Sequence, residues 1–433
     1  LKTRVLDASI RQLPVGQGGF LVSEITGPCG SSFTYAFDCG SLNREHFEQG
    51  LSYCSPGRID VLFISHLDAD HINGIDALMA HMHVDTVILP CLDALHVTMI
   101  ACEAIGPAGI RMSVQTFLAD PTQWFAVRGV KRILHLQRGS NDETQPFNPV
   151  SEEEPGNGPL DRDEKQDQGI QYTIHSIGAS VTDLEASKNI VVEALGEQTV
   201  LTIGHSKIPL WQLVPYVHPF PEDVIWSFHQ AVGKMLPNIF TKRSICSKGF
   251  TKRLIEVLAD EERRKALKRC YAILSSDNNK PSLSLYSGAH PGIRKNISID
   301  RTDAQTFWRH SNSSPMLRWS GSRHTREGAG SWLSTGDANL QSSETRRPWL
   351  ARYRNVLRDL DVLVLPHHGS NRSIHQEVLE NSGDAILLVC AAIGRAKHPH
   401  PSLLSRLRLQ KRVVWQVSEN TDSAYALQVC ISF

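Results

Sequence analysis

No apolar run in this chain approaches the ~20 residues of a membrane-spanning helix. No Cys-x-x-Cys pair occurs, and the nine cysteines are scattered and odd in number. Several of them, Cys91 and Cys390 included, lie in apolar segments, so free thiols in a reducing compartment are expected. Net charge is also missing: 45 Lys and Arg balance 45 Asp and Glu. No overall field therefore draws nucleic acid or a membrane surface, and contact with a polyanion needs a local basic patch. The first residues, Leu-Lys-Thr-Arg-Val-Leu, run straight into a strand-like segment and lack the character of a signal peptide. These absences predict a cytoplasmic protein without membrane insertion. The rest is ordinary for a globular chain, at 41% hydrophobic and 21% charged residues. At 433 residues there is room for two domains or one decorated domain.

Against that plain background one segment stands out. Residues 65–74 read Ser-His-Leu-Asp-Ala-Asp-His-Ile-Asn-Gly, directly after the apolar run Ile59–Ile64. His66, Asp68, Asp70 and His71 fall within six positions. A strand that ends in a tight loop points several of them into one small space. Unpaired charges and imidazoles are not packed so densely without a reason, and a metal ion supplies one. Three later clusters offer partners. Trp332–Gly336 leads into Asp337, as Ser-Thr-Gly-Asp-Ala. The apolar run Asp361–Leu365 leads into Pro366-His367-His368-Gly369-Ser370, and paired histidines at a strand-to-loop junction suit metal ligation. Ala385–Ala391 precedes His398-Pro399-His400-Pro401, which either presents an imidazole to a site or simply turns the chain into the amphipathic helix Ser402–Leu409.

Between these clusters the chain is uneven. Val5–Leu13, Gly19–Ile25, Phe33–Phe37, Val61–Ser65 and Thr86–Leu89 read as strands, with a short helix over Ile75–His83. Residues 140–171 are rich in proline, glycine and acids and read as a loose surface excursion. Ile170–Ile177, Asn189–Leu195 and Thr199–Ile203 are strand-like again. From 208 to 274 the pattern is helical, amphipathic over Asp223–Leu236 and Gly249–Leu274, and reads as an insertion or cap on an α/β body. Its basic face is interrupted by Asp260, Glu261 and Glu262, which favours a solvated surface over a phosphate site. Residues 287–331 mix Arg309, Arg318 and other cations with Phe307, Trp308 and Trp319. Such a mixture suits a nucleic-acid strand, and it also occurs in ordinary irregular loops.

In this order the motifs resemble those of metallo-β-lactamase-fold hydrolases. More narrowly, they are similar to the hydrolase domain of the DNA-uptake protein ComEC and its stand-alone relatives. The likeness runs through Val15-Gly16-Gln17-Gly18, Phe37-Asp38-Cys39-Gly40, the 65–74 segment, Asn278-Asn279 before Ser282-Leu283, Thr335-Gly336-Asp337-Ala338, Pro366–Ser370 and His398–Pro401. It implies an α/β fold, the four-layer αβ/βα sandwich, here with a helical insertion. Residues 1–207 and 275–433 would be its two halves, 208–274 the cap and 287–331 a basic loop insertion.

The resemblance also implies a pair of divalent metal ions, Zn²⁺ or Mn²⁺. Its ligand positions fall on His66, Asp68, Asp70, His71, Asp337 and His367, with His368 the less favoured of the histidine pair. Asp38 matches an inner carboxylate that orients the motif loop. Asp68 stands where most families have a second His, and Asn278-Asn279 stand where most have a middle ligand His. One site, of His66, Asp68, Asp337 and, as an optional fourth ligand, Asn278, would then be oxygen-rich and the weaker. Pro14 and Gly19 depart from the acids that often flank the Val-Gly-Gln-Gly turn in the DNA-uptake relatives. The implied reaction is hydrolysis of a phosphodiester, with nucleic acid as the expected partner. Asp70 would orient the nucleophile, and His398 or His400 would serve the phosphoryl oxygen or the leaving group. Substrate contacts are expected from His368, Ser370, Arg309 and Arg318. Two alternatives stay open: a hydrolase of a cyclic nucleotide, lactone or thioester, and a non-catalytic binding protein.

Overall fold

A computed structural model of the chain describes residues 4–28, 30–54, 57–90, 121–137, 169–176, 190–205, 208–218, 222–235, 248–275, 282–291, 297–302 and 330–432, with a few short stretches between them. Asn278, Asn279, Arg309, Arg318 and most of 140–171 lie outside the described residues.

Two sheets carry the fold. The first has nine strands, in the spatial order Val191–Leu195, Arg132–Leu136, His83–Pro90, Arg58–Phe63, Ser32–Ser41, Gly18–Thr26, Arg4–Gln12, Tyr425–Ser432 and Ile297–Thr302. The second has eight: Val414–Val417, Ile386–Cys390, Val362–Val364, Trp332–Ser334, Leu283–Ala289, Ile208–Val217, Val200–His205 and Ile170–His175. Each sheet is antiparallel toward one end and parallel toward the other.

Three apolar layers explain the stacking. Leu6, Ile10, Tyr35 and Phe63 of the first sheet meet Trp211, Leu213, Leu285 and Trp332 of the second. On the outer face of the first sheet, Val22, Leu62 and Val87 share a cluster with Phe47, Leu78 and Phe125 from helices. On the outer face of the second, Leu333, Leu363 and Leu387 pack with Trp349, Tyr353 and Leu403. Strands buried on both faces lose the alternation of a half-exposed strand, and their helices shield them from water. The result is a four-layer αβ/βα sandwich, the arrangement that the resemblance implies.

The helical block differs from the sequence expectation. Ile208–Val217 is a strand, not the start of a helix. Its run Leu-Trp-Gln-Leu-Val-Pro-Tyr-Val is buried on both faces, so no period separates helix from strand there. Helices occupy Glu222–Met235, Lys248–Ala259 and Glu261–Ser275. Their residues Phe228, Leu254 and Leu267 are fully buried in the outer cluster of the first sheet. Each such burial is worth about 1.5–3 kcal/mol, and it holds these helices to the outer layer of the first sheet. A strand, Ile297–Thr302, also lies inside the segment expected to be loop, paired with Tyr425–Ser432. No helix of the described residues is long and apolar enough to cross a membrane.

Candidate metal centre

The parallel strands of both sheets end at the same edge, and the loops that leave them carry the chemistry, as is usual at the carboxyl ends of parallel strands. Arg58–Phe63 delivers His66 to His71, Trp332–Ser334 delivers Asp337, Val362–Val364 delivers His367 and His368, and Ile386–Cys390 leads to His398. Residues from distant parts of the chain thus meet at one point.

Asp337 lies at the centre and is 5% exposed. Its Oδ2 is 3.6 Å from His66 Nε2 and 4.0 Å from His367 Nε2. Its Oδ1 is 3.5 Å from His71 Nε2. His66 Nε2 is 3.4 Å from Asp68 Oδ2, and His368 Nε2 is 3.1 Å from Asp70 Oδ2. Among the described residues two groups have the compactness of a cation site: His66, His71 and Asp337, and Asp70, His71 and His368.

Three imidazoles are anchored through one nitrogen and aimed with the other. His71 Nδ1 donates to Asp38 Oδ2 at 2.8 Å. Ser65 Oγ donates its single proton to the same carboxylate oxygen, so His66 Nδ1, 2.9 Å from that hydroxyl, must be the donor to it. His368 Nδ1 donates to the carbonyl of Cys390 at 2.8 Å. Each Nε2 is therefore turned into the cluster: that of His368 meets the Asp70 carboxylate, and those of His66 and His71 are buried with no hydrogen-bond partner. A buried acceptor left bare costs about 1–3 kcal/mol, and a cation at that point removes the cost. The donor set, imidazole nitrogen with carboxylate oxygen, fits Zn²⁺ or Mn²⁺.

Charge tells the same story when only protons balance it. Burial opposes ionisation of Asp337, but His367, His66, His71 and His368 hold its carboxyl well below the usual range. Asp70 is likewise penalised by burial and yet brought to about 2 by His71 and His368. Burial would lower His71, but Asp38, Asp337 and Asp70 lift it to about 10. His368 is raised against its burial by Asp337 and Asp70. The cluster demands positive charge at its centre.

The backbone is bent to make this arrangement. Asp38 (φ 58°) sits in a strand where the register with Gly18–Thr26 slips, which turns its carboxylate toward the motif loop. Its Oδ1 also accepts from the Ser65 backbone N–H at 2.7 Å. His367 (φ 49°), His368 (φ 54°) and Gly369 (φ 77°) are left-handed in succession. Such conformations cost non-glycine residues about 1–3 kcal/mol each and cluster at functional sites. The Asp337 N–H donates to Ser282 Oγ at 2.9 Å, which ties the second sheet's central strand to the site.

Several expectations shift on this geometry. His368, less favoured in the sequence, is the buried histidine that joins Asp70 and His71, whereas His367 is 23% exposed and faces the Oδ2 side of Asp337 with His66. The successive left-handed residues send the two rings to different sides. His398 reaches the site: its ring stacks on His367 at 5.2 Å and 12°. His400 does not, because its Nδ1 accepts from the Ser402 N–H and caps the helix Pro401–Leu409. The Ser370 hydroxyl accepts from the Arg372 N–H and so closes its own turn. Two supporting hydroxyls, Ser65 and Ser282, have no role that the sequence declares. Nothing but their place beside the motifs hints at them.

Asp38→Asn is expected to weaken divalent metal binding about 10–100-fold, since it loosens the ring orientation and basicity of His71. Titration of the chelated variant by calorimetry reads this directly.

No family model matches the chain. Ribonuclease BN of Erwinia tasmaniensis is 31% identical over 91 residues, which cover 21% of this chain and 26% of that protein. Ribonuclease BN of Escherichia coli is 30% identical over 90 residues, 21% of this chain and 25% of that protein. The matched segment therefore spans about a quarter of the length of these curated relatives. A long-form RNase Z from yeast aligns in structure over 89% of this chain and 37% of that one, with a TM-score of 0.31 and 8% identity.

Proposed function

We propose that this chain is a metal-dependent phosphodiesterase that hydrolyses nucleic acid. The observation that carries the reading is the set of anchored imidazoles whose Nε2 atoms face two buried carboxylates, His66 and His71 toward Asp337 and His368 toward Asp70. In this reading His66, Asp68, Asp337 and His367 hold one divalent ion, and Asp70, His71, His368 and Asp337 hold a second. The exposed side chain of His367 takes the part that Asn278 was expected to play. Both sets offer two imidazoles and two carboxylates, and the first, which holds the more exposed imidazole, is the weaker.

When bound, such a pair of ions supplies a lowered water pKa and neutralises phosphoryl charge. The chain's own groups do the rest. Asp70, kept ionised, accepts a hydrogen bond from the attacking water and fixes its direction. Burial, followed by His367 and His368, pushes His398 down to about 4, so its ring is neutral at pH 7. A neutral imidazole donates one hydrogen bond, and from its stacked place on His367 it can donate to a phosphoryl oxygen or to the departing alcohol. Water and a phosphodiester give a phosphomonoester and an alcohol, with no further reactant.

Two observations bear on the substrate. The ordered motifs that resemble the DNA-uptake hydrolases favour DNA, and the curated relatives named as ribonucleases favour RNA. Paired assays on labelled RNA and DNA strands of one sequence separate them. His398→Ala is expected to lower kcat about 10²-fold or more with metal content unchanged. Cleavage that persists at full rate in excess EDTA would overturn the reading.

A further inference from the structure

We propose that Ile393–Lys397 is a fixed phosphate-binding arm for the part of the strand next to the scissile bond. The inference rests on the nucleic-acid reading above. The segment leaves the second sheet at Ala391, whose N–H donates to the Val417 carbonyl at 3.0 Å and whose carbonyl accepts from Gln416 Nε2. The Ile393 N–H then donates to the Glu419 carboxylate, at 3.0 and 3.3 Å to its two oxygens. Gly394 turns the chain at φ 75° with no atom near the place of a Cβ. The return is held just as firmly. His398 stacks on His367, Pro399 packs against Gly369, and the His400 N–H donates to the Gly369 carbonyl at 3.0 Å.

Between these ties, residues 393–397 are all exposed, and among the described residues neither Arg395 nor Lys397 is paired with an acid. Ordinary surface cations need no explanation, but these two are presented by an arm pinned at both ends to the site. Lys397 adjoins His398, and Arg395 is three residues away, within about 10 Å of extended chain. Their long side chains reach the phosphates on either side of a diester seated over Asp337. Ile393, 56% exposed, adds an apolar surface at the base of the arm where a sugar or base can rest. A cleaved monoester or cyclic nucleotide has no second phosphate for these cations, so the arm favours polymers over small diesters.

The test compares wild type with the double variant Arg395→Ala, Lys397→Ala on fluorescein-labelled twelve-nucleotide RNA and DNA strands. Anisotropy in EDTA across a salt series reads binding without cleavage. Loss of two phosphate contacts should weaken binding about tenfold and reduce the log–log salt slope by about 1.4. The charge-conserving variant Arg395→Lys, Lys397→Arg should keep the wild-type slope. With metal restored, selectivity for the twelve-mer over a dinucleotide should fall about tenfold through KM. An equal loss on both polymers assigns the contacts to the shared backbone, and a loss confined to RNA assigns them to a ribose-bearing strand. Unchanged affinity and slope on both strands would overturn the arm. Wild type that binds with the steep slope but cleaves neither strand would overturn the phosphodiesterase reading and leave the arm standing.

Discussion

Asp337→Asn should empty both metal sites and reduce phosphodiester hydrolysis by about 10³-fold or more. Asp337 faces His66 and His367 with one oxygen and His71 with the other, so it is the group common to both proposed sites. An amide keeps the shape, but it removes the negative charge and replaces one oxygen with an N–H₂ donor. That donor points at an imidazole lone pair, where no cation can then be shared. Metal-assisted stabilisation is worth several kcal/mol, and each 1.36 kcal/mol is tenfold in rate. The variant also separates a metal role from a purely structural one. Adding EDTA should lower the melting temperature of the wild type and leave that of Asp337→Asn unmoved, because a ligand that binds only the folded state stabilises it. A variant that retains metal and rate would show that Asp337 is only a buried anion.

Gly40→Ala should be nearly as damaging without touching a ligand. A Cβ at Gly40 would lie 2.6 Å from the backbone carbon and oxygen of Asp70 and 2.7 Å from the backbone carbon of His71. These are main-chain atoms, so no side chain can swing aside. The short helix Ala69–Ile72 must shift, and Asp70 and His71 shift with it. Overpacking of this kind costs about 1–3 kcal/mol of stability. The larger effect falls on the site, where a displacement of about 1 Å costs roughly 10²-fold in rate. Gly57 is the control: among the described residues nothing lies within 4 Å of the point where a Cβ on it would stand. Gly57→Ala should therefore stay within about 0.5 kcal/mol of wild type. Denaturant melts and metal titration on the two variants check both statements. Equal behaviour of Gly40→Ala and Gly57→Ala would contradict the close fit of the motif loop.

Much of this site is visible in the sequence because ligands must sit where strands end. Asp70, His71 and Asp337 each follow an apolar run by a few residues, and a run plus a polar loop is legible without coordinates. The inner role of Asp38 is implied by resemblance and is matched by its three hydrogen bonds. Backbone conformation is not legible in this way. Two successive left-handed histidines exchange the places of His367 and His368, and nothing in Pro-His-His-Gly-Ser announces that. His400 looks as well placed as His398, but the proline after it starts a helix whose open N–H needs a cap. Tertiary burial hides the strand Ile208–Val217, since a segment covered on both sides has no polar face to mark its period. Supporting hydroxyls such as Ser65 and Ser282 depend on contacts across 27 and 55 residues. No local pattern encodes those.

Metal stoichiometry decides whether these imidazoles and carboxylates hold two ions. The chelated, metal-free chain would be titrated with Mn²⁺ and with Zn²⁺, and bound metal counted by mass spectrometry alongside cleavage of a labelled strand. Two ions per chain, taken up with unequal affinity and restoring cleavage together, are the expected result. A metal-free chain that takes up no ion, or that cleaves as well without one, would contradict it.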